Sequence, residues 1–116
     1  MRSLFILNGP TYGSEESYNA LRLAGSLVER EGEEVRVFLL GEGVAVAKSG
    51  QSVPKGYYNL ERMLSAITSR GAEIGACGTC MDARGIGEPE LADGVHRSTL
   101  ADLTDWTRDA DRVLIF

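Results

Sequence analysis

The chain has two cysteines, three residues apart, in Cys77-Gly78-Thr79-Cys80-Met81-Asp82-Ala83-Arg84-Gly85. The thiolate, not the thiol, is the nucleophile, and its ordinary pKa of about 8.5 falls where backbone N–H groups and a cation stabilise the anion. Gly78 and Thr79 can present their N–H groups as an anion-binding nest, and Arg84 stands close enough in sequence to add a guanidinium. Nucleophilic sulfur chemistry at Cys77 and Cys80, with Gly78 and Thr79 binding and Arg84 stabilising the anion, is therefore the expectation.

Four readings of the pair compete. Zinc needs about four ligands, and one Cys pair with the single histidine, His96, falls short of that set, so no metal is expected. A thiol-disulfide redox couple fits Cys-x-x-Cys at a helix start. Against it, thioredoxin-type folds carry the motif after an early strand, whereas here it lies two-thirds along the chain. Sulfur transfer through a cysteine persulfide is the third reading. Two inert thiols near a strand end are the fourth, since free cysteine is often buried.

The elements around the motif must position it. At 116 residues, 43% apolar and 25% charged, the chain suits one domain over residues 1–116 with one core. The net charge of −5 and the lack of a Lys/Arg run exclude nucleic acid and anionic membrane as direct partners. The four-residue apolar run Leu4–Leu7 is too short for a signal peptide or a membrane span, so a cytoplasmic location is expected.

Leu4-Phe5-Ile6-Leu7 has the continuous apolar character of a strand buried mid-sheet. Ser14 is a candidate N-cap for a helix over about 14–30, with Tyr18, Leu21, Ala24, Leu27 and Val28 on one face. Val35–Leu40 suits a second strand, followed by a short apolar helix through Val44–Ala47 and a surface loop over Ser49–Tyr58. Asn59 can cap a helix bearing Leu60, Met63, Leu64 and Ile67, which Arg70-Gly71 closes. Glu73–Ala76 is a brief strand, and the cysteine motif begins at its end. A helical turn within 86–93, a short strand at Val95, a last helix starting at Ser98-Thr99 and a strand over Arg112–Phe116 complete the pattern. This alternation specifies an α/β three-layer sandwich with a mainly parallel four- to five-stranded sheet of flavodoxin-like type. In such sheets, chemistry collects at the carboxyl ends of strands, where Cys77 falls.

The loop Gly9-Pro10-Thr11-Tyr12-Gly13-Ser14 lacks the lysine of a phosphate-binding loop, and Glu15-Glu16 would repel phosphate. It is expected to be a structural turn bordering the site, with Gly9 and Tyr12 as candidate substrate-binding residues. His96 is expected at the surface, and Trp106 in the core or a subunit contact.

With these motifs in place, the chain resembles the DsrE/DsrF-like family, and within it the small YchN-type proteins. The resemblance lies in Asn8-Gly9-Pro10-Thr11-Tyr12-Gly13-Ser14-Glu15, Gly50-Gln51, Gly56-Tyr57, Asn59 to Met63-Leu64, the whole cysteine motif, Asp93-Gly94-Val95, and Trp106 with the Asp111-Arg112-Val113-Leu114 ending. It implies a parallel α/β sandwich assembling as trimers or hexamers, with sulfur donor and acceptor proteins as partners and no cofactor. It also implies that Cys77, counted back from Arg84-Gly85, matches the sulfur-carrying cysteine of DsrE- and TusD-type relay subunits. Cys80 is a departure from those subunits, though YchN-type proteins share it, and it becomes a candidate resolving thiol. A non-catalytic oligomeric binding module, for a small molecule or a protein, is the alternative function.

Overall fold

Leu4, Phe5 and Leu7 are at most 1% exposed, as expected for a strand covered on both faces. The computed structural model describes residues 1–116. Five strands, β1 (Arg2–Leu7), β2 (Glu34–Leu39), β3 (Glu73–Cys77), β4 (Val95–Ser98) and β5 (Arg112–Ile115), alternate with helices α1 (Glu16–Val28), α2 (Leu60–Thr68), α3 (Gly78–Asp82) and α4 (Leu100–Asp109). All four pairings are parallel, in the order β4-β3-β2-β1-β5.

That order decides which face each helix covers. Right-handed crossovers that advance from β1 to β2 to β3 put their helices on one face, and the return from β4 to β5 puts its helix on the other. The packing follows: Leu21 and Ala24 of α1 and Leu64 and Ile67 of α2 close over Phe5, Leu7, Val37 and Leu39 in a core of 19 buried residues. On the opposite face α4 contributes only Leu103 to a smaller cluster with Leu4, Ile6 and Phe38. Trp106 is half-buried there, edge-on to Phe38 with ring centroids 5.9 Å apart.

Several boundaries differ from the sequence expectation, each for a local reason. α1 starts at Glu16, because Ser14 Oγ accepts from the Glu16 N–H (3.2 Å) one residue ahead of the N-cap, Glu15. The short apolar helix is a 3₁₀ segment that starts earlier, at Gly41, and runs to Ala47. α2 has its expected cap, Asn59 Oδ1 accepting from Arg62 N at 3.0 Å. It ends at Thr68, and a bonded turn carries the chain to Gly71, whose φ of +97° suits glycine. Ser98 belongs to β4, paired with Cys77, so α4 begins at Leu100 with Thr99 Oγ1 accepting from Asp102 N at 3.1 Å. No helix is long and apolar enough to cross a membrane.

Candidate functional site

Cys77 is both the last residue of β3 and the N-cap of α3. Strand pairing fixes its backbone beside Ser98 of β4, and the turn into α3 brings the next residues back over its sulfur. Cys77 Sγ accepts from the Cys80 thiol at 2.6 Å and from the Cys80 N–H at 3.4 Å, and it lies 3.4 Å from Thr79 Oγ1. The Cys-x-x-Cys spacing produces this contact because one helical turn returns residue i+3 to the face of residue i. Both cysteines are half-buried free thiols.

The two sulfurs are unequal. Burial pushes the Cys77 thiol up, but hydrogen bonds from the Cys80 thiol, the Thr79 hydroxyl and the backbone N–H groups of Cys80 and Thr79 outweigh it, leaving its pKa below the ordinary value. Cys80 moves the other way: burial and the hydrogen bond it gives to Cys77 raise its pKa, against the backbone of Gly41 and the charge of Arg84. Of the two, Cys77 is the sulfur whose thiolate its surroundings favour, and Cys80 is the one that donates to it.

Arg84 is turned toward Cys80. Its Nη1 donates to the Cys80 carbonyl at 3.0 Å, while Nε and Nη2 donate to Glu42 Oε1 at 3.2 and 2.8 Å. The guanidinium beside Cys77 belongs to Arg97 on β4, which forks onto Asp82 with Nη1–Oδ1 at 2.8 Å and Nη2–Oδ2 at 2.9 Å. Arg97 holds the Asp82 carboxyl below the usual carboxylate range, and Asp82 in turn raises the Arg97 pKa. Gly78 makes room for this: a Cβ there would meet Arg97 Cζ and Nε at 2.8 Å and Nη2 at 2.9 Å.

A cleft of about 300 Å³ opens beside Cys77 on the α4 side of the sheet. Phe38 and Leu40 give it an apolar wall, Gly78 and Thr79 border the sulfur, and Arg97, Ser98, Thr99 and Leu100 form the opposite side. Of the expected site residues, Cys77, Cys80, Gly78, Thr79 and Arg84 gather at this strand end.

Gly9 and Tyr12 do not join them. The Gly9 carbonyl accepts from Ser17 Oγ at 2.9 Å, and a Cβ on Gly9 would stand 2.7 Å from Glu16 Oε2, so this glycine serves the β1–α1 turn. Tyr12 donates to Gln51 Oε1 at 2.6 Å and accepts from Leu60 N at 3.2 Å, tying the loop over Ser49–Tyr58 to the start of α2. It lines a separate shallow groove with Thr11, Lys48 and Gln51. His96 is exposed, its ring edge-on to Trp106 at 6.0 Å, and does not line the cleft. Nowhere do three or more His, Cys, Asp or Glu side chains gather as a metal site would require.

The match to known proteins covers the whole chain. The model of the DsrE/DsrF-like family matches residues 1–116. The chain belongs to the DsrE/DsrF-like family. It is 41% identical to protein YchN of Escherichia coli K12 over 114 residues, 97% of each chain. It superposes on the crystal structure of the E. coli ychN protein with a TM-score of 0.92 at 42% identity, over the full length of both. A more distant relative is the Salmonella arizonae protein named sulfurtransferase TusD, 29% identical over 128 residues and all of both chains. The Methanobacterium thermoautotrophicum protein MTH1491, 17% identical with a TM-score of 0.76, shares the fold.

Sequence reasoning missed Arg97, Asp82, Phe38 and Leu40 as neighbours of Cys77 at this strand end. Asp82 stood inside the cysteine motif, but its partner is 15 residues away. The one available signal for Arg97 was the strand assignment at Val95: a parallel strand beside β3 must carry neighbours of Cys77.

Proposed function

We propose that this protein is a sulfur carrier that takes sulfane sulfur onto Cys77 as a persulfide. The carrying observation is that Cys77 sits at a strand end beside an open cleft, with the donors that favour its thiolate, including the Cys80 thiol at 2.6 Å. Membership of the DsrE/DsrF-like family and the likeness to a protein named sulfurtransferase support a sulfur-relay-like role.

In the loading step the Cys77 thiolate attacks the outer sulfur of a donor persulfide, R–S–SH. The donor S–S bond breaks, RS⁻ leaves with the electron pair, and Cys77–S–SH forms. Cys80 then has two routes. Its thiolate can attack Cys77 Sγ, forming the Cys77–Cys80 disulfide and expelling HS⁻, or it can attack the outer sulfur and take it over, returning Cys77 to thiolate. The first route ends in a disulfide that a thiol reductant must reopen.

Incubation with a low-molecular-weight persulfide followed by intact-mass measurement tests the assignment. Cys77→Ser should abolish the gain of one sulfur atom, and Cys80→Ser should retain it. Equal loading of both variants would sink the distinct roles. The 2.6 Å sulfur contact also favours a second reading, a reversible Cys77–Cys80 redox couple, whose signature is a disulfide with a defined potential and no persulfide. A binding module without chemistry would instead show an inert Cys77.

We propose further that residues 1–116 act as one cytoplasmic DsrE-like domain that assembles as a trimer or hexamer and exchanges sulfur with donor and acceptor proteins. Support for assembly comes from edge strand β5, which leaves Val113 39% and Ile115 69% exposed. Light scattering on the purified chain reads the state directly, and a monomer at working concentration would refute it.

A further inference from the structure

Arg97 is the only charged side chain lining the cleft that holds Cys77. It already grips a two-oxygen anion, the Asp82 carboxylate, through both arms of its fork at 2.8 and 2.9 Å. That parallel two-bond geometry is the one a guanidinium offers any carboxylate. The pair is exchangeable, since the Arg97 side chain is 35% and the Asp82 side chain 62% exposed, and ion pairs this accessible to water hold weakly. Gly78 lets the guanidinium lie against the backbone next to Cys77, where any larger residue would displace it. The remaining wall, Phe38 and Leu40, suits an aliphatic body, and about 300 Å³ suits a small molecule.

We propose that the cleft is a donor subsite for a small organic persulfide bearing a carboxylate: the outer sulfur meets Cys77, the aliphatic chain lies on Phe38 and Leu40, and the carboxylate replaces Asp82 on Arg97. Asp82 is then an internal competitor that keeps the fork occupied between turnovers. The proposal rests on Cys77 being the sulfur acceptor. Transfer follows the balance already given, with the donor's inner sulfur leaving as thiolate while its carboxylate stays on Arg97. Arg97 acts on the donor's position, not on the reacting sulfur.

The first test needs no persulfide. In a Cys80→Ser background, so that Cys77 alone reports, alkylation rates with iodoacetate and iodoacetamide are compared. Both scale with the thiolate fraction, so their ratio isolates recognition of the carboxylate. Arg97→Gln should lower the iodoacetate/iodoacetamide ratio roughly two- to fivefold, the range an exposed charge pair supports. Asp82→Asn, at a position whose side chain is 62% exposed, should raise it by a similar factor. A merely structural role would change both reagents alike, so an unmoved ratio, or one moving the same way in both variants, overturns the subsite.

The second arm loads the unaltered chain with the persulfide of 3-mercaptopropionic acid or that of its methyl ester. The acid should load faster, and Arg97→Gln should erase the difference. Equal loading of acid and ester in the parent overturns the proposal. If neither loads, the persulfide function falls, and the alkylation ratio still decides whether the cleft takes a carboxylate.

Discussion

Replacing Gly43 with alanine should destabilise the protein severely, although Gly43 has no unusual backbone angle and no role in the chemistry. A Cβ at position 43 would stand 2.0 Å from the Leu7 carbonyl oxygen and 2.8 Å from its carbon. Non-bonded heavy atoms settle near 3.5 Å, so one backbone or the other must retreat by more than about 1 Å. Leu7 cannot: it ends β1, is paired in register with Leu39, and its carbonyl accepts the Leu40 N–H at 2.9 Å. The 3₁₀ segment Gly41–Ala47 must therefore lift. Lifting strains the Gly43 N–H to Leu40 bond and the Leu40–Leu7 bond, each worth about 1 kcal/mol net, and it loosens Val44 and Val46, both 0% exposed. Partial loss of that burial adds about 1–2 kcal/mol, for a total near 3–4 kcal/mol.

Gly25→Ala is the opposite case on the same chemistry. A Cβ there meets only Ile67 Cγ2 at 3.7 Å, an ordinary contact inside α1, so the change should stabilise by about 0.5–1 kcal/mol through helix propensity. Urea unfolding followed by far-ultraviolet circular dichroism reads both: with a slope of about 1–3 kcal/mol/M, Gly43→Ala should lose on the order of 2 M in midpoint. A Gly43→Ala midpoint indistinguishable from the parent, or a Gly25→Ala midpoint lower than that of Gly43→Ala, would refute the reasoning from backbone clearance.

Two further outcomes follow from the site. Thr79→Val removes a hydroxyl 3.4 Å from Cys77 Sγ that stabilises the thiolate, so the pH profile of Cys77 alkylation should move to higher pH. The rate at pH 7 should fall roughly two- to fivefold, the effect of about 0.5–1 kcal/mol on a half-exposed group. Asp82 has its folded-state pKa depressed by Arg97, so its contribution to stability is present above the unfolded aspartate value of about 3.9 and is lost as pH falls through the lower folded value. Acid titration of unfolding should therefore show Asp82→Asn losing less stability than the parent below about pH 4, and parallel curves would contradict the pairing.

Much of the fold was legible because its elements are written in strong local signals. The run Leu4–Leu7, the Asn59 cap and the α1 face with Leu21 and Ala24 each behave as their residue types dictate. The site was legible in part, since Cys77, Gly78, Thr79 and Cys80 are neighbours along one turn and sequence distance stands for spatial distance there. Arg84 shows where that equivalence fails. Seven residues after Cys77, it faces Cys80 and Glu42, because the turn of α3 carries it past the first sulfur. Tyr12 shows a second failure: a loop at the end of β1 borders the same edge of the sheet, yet its hydroxyl is committed to Gln51 and Leu60. Arg97 could be found only by pairing β4 with β3, which is a long-range property of the sheet.

The sheet order also explains why a cleft exists beside Cys77 at all. Three successive strands advance in one direction and bring α1 and α2 onto one face, where they fill it with a large core. The other face has α4 alone, and α4 starts only at Leu100, after β4 has run as far as Ser98 opposite Cys77. The space between the start of α4 and α3, above Phe38 and Leu40, is therefore left unfilled by any element. A helix one turn longer at its N-terminus would need the residues that now form the β4 pairing with Cys77, so the strand that holds the cysteine in place also keeps the cleft open. The placement of Cys77 and the openness of the cleft are coupled through Ser98, which pairs with the one and lines the other. Weakening the Ser98 Oγ bond to Asp102 (2.8 Å), which fixes the strand end to the first turn of α4, should loosen both together.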